Sequence, residues 1–247
     1  MFYNTTFMNS NINKKTCFYL LITLITIQHC YTQNGDLSSN YEADHSNWDL
    51  TTLDTARDSS YLTKAEKDVI LELNMVRTNP SKYADLYLKP MLSKFSDNVY
   101  DNGKEIKLLT NEGKSAVEEC ISVLKKQQAL SVLYPDQLLS KMAKYHANLQ
   151  GKTTSVGHNS PNGKTFSDRL KLFSIRYNFV GENISYGYTN AREIVIQLIV
   201  DDGVPSRGHR NNVFNKFNSV GISIATHLRY NYMCVQDFRY YNPTNSR

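Results

Sequence analysis

Residues 221–238 carry the most restrictive pattern in the chain. Gly221-Ile222-Ser223-Ile224-Ala225-Thr226 and the run from Tyr230 to Phe238 alternate apolar and polar side chains around a short turn. A period of two over two adjacent runs specifies antiparallel strands joined as a β-hairpin. Upstream the rhythm is helical. Thr63-Lys64-Ala65-Glu66 reads as an N-terminal capping box, and Ile70, Leu73, Val76 and Arg77 follow at helical spacing. Asn79-Pro80 breaks that helix, and Pro80 opens a second with Tyr83, Leu86 and Tyr87 on one side. Helices first, antiparallel strands last and no strand–helix–strand alternation exclude a doubly wound parallel sheet. The fold class is α+β.

Between these ends, residues 91–110 read as loop, with Asp101-Asn102-Gly103 as a turn. A helix is expected over 112–126, burying Ala116, Val117, Cys120, Ile121 and Leu124. Another starts at Pro135-Asp136, with Leu138, Leu139, Met142, His146 and Leu149 on one face. His146 inside that stripe reads as a packed imidazole bonded to a nearby carbonyl rather than as a ligand. Residues 181–187 alternate like a strand. Residues 190–200, capped by Asn190, read as helix, although their β-branched content leaves a strand open.

The first 32 residues read as a secretory signal peptide. Lys14-Lys15 precedes a twelve-residue, mostly apolar run from Thr16 to Ile27, too short for the ~20 residues a membrane span needs. Residues 33–62, polar and aperiodic, read as a flexible leader, 63–241 as the domain, and 242–247 as a tail. Beyond the signal no stretch is apolar enough to span a bilayer, so the mature chain is expected to be secreted and extracellular. Losing residues 1–32 takes away two lysines and no acid, so the formal charge falls from +5 to +3. The basic residues lie singly or in pairs among acids, which argues against nucleic acid or an anionic membrane as partner. Cys120 and Cys234 remain in the mature chain, either paired across a long loop or as two buried thiols.

Polar residues that fit no core pattern gather between 157 and 212. They are Gly157-His158-Asn159-Ser160, Gly181-Glu182-Asn183, Asp201-Asp202-Gly203 and Gly208-His209-Arg210-Asn211-Asn212. Imidazoles and carboxylates beside glycines are the raw material of a polar cleft, suited to a zinc ion with an open position or to an acid–base pair. There is no HExxH helix and no Gly-x-Ser-x-Gly elbow. The Gly157–Thr165 stretch has five residues between its glycines where a phosphate loop needs four. Asn183-Ile184-Ser185 is a glycosylation sequon, expected to be buried and unmodified beside Glu182.

The order of these pieces resembles the CAP superfamily, the cysteine-rich secretory, antigen 5 and pathogenesis-related 1 (SCP-like) proteins. His158, Gly181-Glu182-Asn183-Ile184, an apolar helix ending at Asp201, and Gly208-His209-Arg210-Asn211-Asn212 follow the family's order. Leu73-Asn74-Met75-Val76-Arg77, the segment from Leu138 to Ala147 and the closing hairpin are similar to its other signatures, over roughly residues 66–240. Asp201-Asp202-Gly203-Val204-Pro205-Ser206-Arg207-Gly208-His209-Arg210 and Asn111-Glu112-Gly113-Lys114-Ser115-Ala116-Val117 resemble the bacterial and protist branch. The resemblance implies an α-β-α sandwich with a central antiparallel sheet and a cleft tetrad of two His and two acids. His158, Glu182 and His209 fall on matching positions. The fourth, usually Glu of a Trp-x-x-Glu helix end, falls on Asp201, with Leu198 for the Trp and Asp202 as a substitute acid. His158 and His209 are then the metal ligands, with zinc or another divalent cation as the only cofactor.

The resemblance implies a secreted, non-catalytic binding module for lipid, sterol or another small ligand. The Tyr- and Phe-rich composition, 17 and 10 residues against one Trp, suits an apolar groove with wet edges. The alternatives are a metal-dependent hydrolase with Glu182 as general base, and a tetrad that only holds the fold together.

Overall fold

Glycine is required at 221 because a helix lies almost on the sheet there. A Cβ at that position would come within 2.2 Å of the Leu139 carbonyl carbon and the Ser140 nitrogen. The computed structural model describes residues 45–103 and 107–245, and from Asn47 onward the chain forms one compact unit. Its elements are α1 (Leu50–Leu53), α2 (Lys64–Thr78) and α3 (Pro80–Tyr83), the last continuing through a π turn (Ala84–Leu88) and a 3-10 turn (Lys89–Lys94). Three short strands follow, β1 (Phe95–Ser96), β2 (Val99–Tyr100) and β3 (Leu108–Leu109), then α4 (Lys114–Leu124) and β4 (Tyr134–Pro135). The second half holds α5 (Gln137–Gln150), α6 (Phe166–Leu172), β5 (Phe179–Tyr186), α7 (Ala191–Val200), α8 (Gly208–Val213), β6 (Ser219–His227) and β7 (Asn231–Tyr240).

The main sheet has the order β4-β6-β7-β5, antiparallel except for the β4–β6 pair, so β5 is an edge strand. Alternation assigns the two faces. Ile184 of β5, with Met233 and Val235 of β7, packs on Ala143 and Ala147 of α5. The small alanines and Gly221 let helix and sheet approach closely. Residues one step out of phase, such as Ser185, face α7, where the Ser185 hydroxyl donates to the Gln197 side-chain carbonyl. Helices α2 and α7 pack together on that second face, giving helix–sheet–helix layers. The α2 capping box forms as expected, and Glu66 also accepts from the Ile224 amide at 3.0 Å, tying that helix to β6. The α+β class and the layered sandwich are therefore present.

Several expectations are corrected. Residues 47–62 are part of the domain rather than a flexible leader. Ala56 is fully buried, Trp48 donates to the Tyr87 hydroxyl at 2.9 Å, and Asn74 donates to the Leu53 carbonyl at 2.8 Å. This segment is irregular, so no periodicity announces its packing. Residues 91–110 contain the β1-β2-β3 meander instead of plain loop. Helix α6, opened by a Thr165–Asp168 capping box, adds an element that the sequence reading lacks. Leu138 is exposed because Asp136 caps α5 and turns its first residue pair outward. Cys120 and Cys234 are separate buried thiols, and burial pushes the Cys120 thiol up to about 12. The signal-peptide reading lies outside the described residues. Among the described residues, no helix is long and apolar enough to cross a membrane.

Candidate functional site

His158 sits on the loop between α5 and α6, and that loop is pinned from three elements. Gly157 donates to the Tyr186 hydroxyl of β5 at 2.9 Å and its carbonyl accepts from Gln150 of α5 at 2.8 Å. Arg169 of α6 donates to the His158 carbonyl at 2.7 Å. His146 supplies a further anchor. Its Nε2 faces the Gly157 carbonyl at 3.1 Å and therefore carries the proton, so Nδ1, 2.8 Å from Ser160 Oγ, accepts from the hydroxyl. This is the packed, carbonyl-bonded imidazole expected from the sequence.

Burial holds His146 down at about 4, with Glu182 pulling the other way and Arg169 adding to the depression. A histidine depressed below its unfolded value of ~6.5 is neutral when folded. Its contribution is complete above that value and is lost as pH falls toward the folded pKa. Wild-type stability is thus expected to drop by up to about 3 kcal/mol between ~pH 6.5 and ~pH 4, from this group alone. Urea titrations of wild type and His146→Gln across that window check it, since the variant should lack most of the decline. Parallel curves would show that His146 does not titrate there.

With its loop fixed, His158 reaches Glu182 of β5. Nδ1 lies 2.8 Å from Oε1, and Arg169 donates to Oε2 of the same carboxylate. The imidazole side chain is 53% exposed and the carboxylate 2%. Burial pushes the Glu182 carboxyl up, but the His158 hydrogen bond and the Arg169 charge outweigh it and hold the group below the usual carboxylate range.

His209 is built on the same plan from different elements. Asp201 ends α7 in the left-handed region, φ +56°, and so turns its carboxylate toward α8. Oδ1 meets His209 Nδ1 at 2.6 Å, and Oδ2 accepts from the His209 and Arg210 amides at 2.9 and 3.4 Å. Two bidentate pairs lock the turn. Arg207 binds both oxygens of Glu112 at 2.6 Å, and Arg210 binds those of Glu119 at 2.7 and 2.6 Å. The Arg207 hydrogen bonds bring the Glu112 carboxyl down to about 2. Asp202 is engaged by the segment before α4. Its Oδ2 and Oδ1 accept from the Asn111 and Glu112 amides, each at 2.7 Å, so it clamps the entry to α4 and does not stand in for Asp201.

The two His–acid pairs flank the edge strand β5. Asn183, on the face opposite Glu182, is fully buried and donates to the His209 carbonyl at 3.0 Å. Asn212 donates to the Asn183 Oδ1 at 2.8 Å and to the Glu182 carbonyl at 3.3 Å. This amide bridge joins the pairs and leaves the sequon asparagine no exposure for a glycan. Arg169 is a site residue that the sequence reading misses, whereas Asn212 falls within the Gly208–Asn212 stretch singled out there. The Thr165–Asp168 box is the available signal for Arg169.

Among the described residues no three His, Cys, Asp or Glu groups converge as metal ligands. Glu182 is shared between His158 and Arg169, and Asp201 between His209 and two amides. Each imidazole is bonded through Nδ1 to its carboxylate, which leaves Nε2 as the remaining ring nitrogen.

Fold and site together define an α-β-α domain with two carboxylate-anchored imidazoles astride an edge strand. Residues 109–238, more than half of the chain, match the model of the CAP cysteine-rich secretory protein family. The chain belongs to the CAP family. It is 31% identical over 107 residues to the uncharacterized protein YkwD of Bacillus subtilis (strain 168), 43% of this chain and 40% of that one. The chain thus spans about two fifths of the length of this curated relative. Two solved structures are similar over just under half of the chain. One is an extracellular protein containing a SCP domain from Bacillus anthracis str. Ames, at 25% identity, TM-score 0.39, 45% of this chain and 35% of that one. The other is an outer surface protein from Borrelia burgdorferi, at 21% identity, TM-score 0.39, 46% of this chain and 80% of that one.

Proposed function

We propose that the protein is a secreted, non-catalytic binding module that takes an amphipathic small ligand, of the lipid or sterol class, at the His158–His209 site. One observation carries the reading: both imidazoles are held through Nδ1 by carboxylates that are only 2% exposed, while the rings themselves reach solvent. A ring anchored in this way offers Nε2 as an acceptor of fixed direction, which suits a ligand hydroxyl. Apolar surface lies on the same loop, since Val156, two residues before His158, is 52% exposed. The hydrolase alternative fares worse. The hydroxyl placed among these groups, Ser160, is buried and bonded to His146 and Arg169 rather than to His158.

The test is sterol and fatty-acid uptake by the purified mature chain. His158→Ala and His209→Ala are each expected to weaken uptake roughly tenfold, equivalent to ~1.4 kcal/mol, while the fold is kept. Uptake unchanged in the double variant would remove the imidazoles from the reading. Turnover of an ester or peptide that Glu182→Gln abolishes would replace binding with catalysis.

A further inference from the structure

Asp237 of β7 is fully buried, and neither of its oxygens has a hydrogen-bond donor among the described residues. The strand register places it directly opposite Glu182, with Gly221 of β6 on its other side. Residues opposite one another on the same face have Cβ atoms ~5 Å apart, so two carboxyl groups meet behind His158. Two ionised carboxylates are acceptors only and repel; with one proton between them they form a strong hydrogen bond. The partners already present decide where that proton sits. Glu182 has His158 on one oxygen and Arg169 on the other, which favours its anion. Asp237 has neither.

We propose that Asp237 is a positioning residue of the His158 site, held as a neutral carboxylic acid that donates its proton to Glu182 and so fixes the carboxylate that orients His158. A carboxylate has lone pairs enough for three donors, so Glu182 accepts from His158, Arg169 and Asp237 together. Charge closes locally, with one cation, Arg169, and one anion, Glu182. The other groups facing this pocket do not upset that balance. His146 of α5 is neutral and bonded to Ser160 and Gly157, and Arg239, two residues along β7, pairs with Asp136. Burial and the neighbouring Glu182 charge both push the Asp237 carboxyl well above the usual range, with Arg169 opposing. The inference rests on His158 being the ligand-facing group, but its test needs no ligand.

Infrared spectra of the full mature chain in heavy water at ~pH 7 are the experiment. The wild type is expected to show a carboxylic-acid carbonyl band that Asp237→Asn, nearly isosteric and still able to donate to Glu182, lacks while remaining folded. Nitrogen-15 spectra supply a second readout. His158 is expected to be one tautomer, protonated at Nδ1, in wild type and Asp237→Asn, and a mixture in Asp237→Val. A protein without that band, or with a band that survives Asp237→Asn, overturns the proposal. So does a folded Asp237→Val variant whose His158 tautomer is unchanged. Should Asp237→Val not fold, the infrared comparison decides. Failure of ligand uptake leaves both readouts intact and so tests a different claim.

Discussion

Arg77→Ala is expected to destabilise the domain by about 4 kcal/mol at neutral pH, a large part of the ~5–15 kcal/mol that holds a domain together. The residue is 1% exposed, on α2, and among the described residues no carboxylate is among its hydrogen-bond partners. Its guanidinium instead donates to the carbonyls of Ser131, Val213, Asn215 and Phe217. Burial lowers its pKa to about 10, which still leaves it charged at neutral pH. Removing it strands carbonyls in the interior, each at ~1–3 kcal/mol before relaxation. It also releases the chain just after α8, the helix that presents His209. Arg77→Lys is expected to recover only a minor part, because an ammonium cannot reproduce the planar fork of five donors. Guanidinium melts of the three proteins check this, and an alanine variant within 1 kcal/mol of wild type would refute it.

The same residue shows what a sequence conceals. Arg77 is visible as a helix position in phase with Ile70, Leu73 and Val76, but that spacing does not say what its guanidinium meets. Its actual role depends on chain 54 to 140 residues away, so no local pattern encodes it. Features set by neighbours are legible: the Thr63 capping box, the Asn190 and Asp136 caps, the closing hairpin and the packed His146. Irregular segments are not. Residues 47–62 pack through scattered contacts of Trp48, Leu53 and Ala56, and the β1-β2-β3 meander has strands of two residues, too short for a period. The site is half legible for the same reason. His158, Glu182, Asp201 and His209 announce themselves by residue type beside glycines, and the fold pairs them as His158–Glu182 and His209–Asp201. Asp202 carries the same type signal, yet it clamps a turn. Arg169 and Asp237 look like ordinary members of a helix and a strand, and only packing brings them behind Glu182.

Arg169→Met is expected to cost about 3–5 kcal/mol near pH 7, the loss typical when one partner of a buried ion pair is removed. Arg169 is fully buried and gives Nη2 to Glu182, and Nη1 to the His158 carbonyl and the Ser160 hydroxyl. Methionine fills much of the volume without a charge, leaving Glu182 and Asp237 together with no buried cation. The penalty is therefore electrostatic and must depend on pH. In the wild type the Glu182 carboxyl is depressed, so its contribution is present above the unfolded value of ~4.5 and disappears as pH falls through the folded value. Without Arg169 its charge and its hydrogen bond no longer oppose burial, so the group is depressed less. The gap between wild type and variant should accordingly shrink toward acid and be widest above ~pH 6. A charge origin also predicts strong coupling. Glu182→Gln on its own unpairs Arg169, whereas the double variant Arg169→Met/Glu182→Gln removes both charges and should be more stable than the sum of the singles implies, by roughly 2 kcal/mol. Denaturant melts of all four proteins at ~pH 4 and ~pH 8 measure both effects. A gap that is equal at the two pH values, together with additive singles, would mean that Arg169 acts through shape and its neutral hydrogen bonds, and that Glu182 orients His158 without a buried counter-ion.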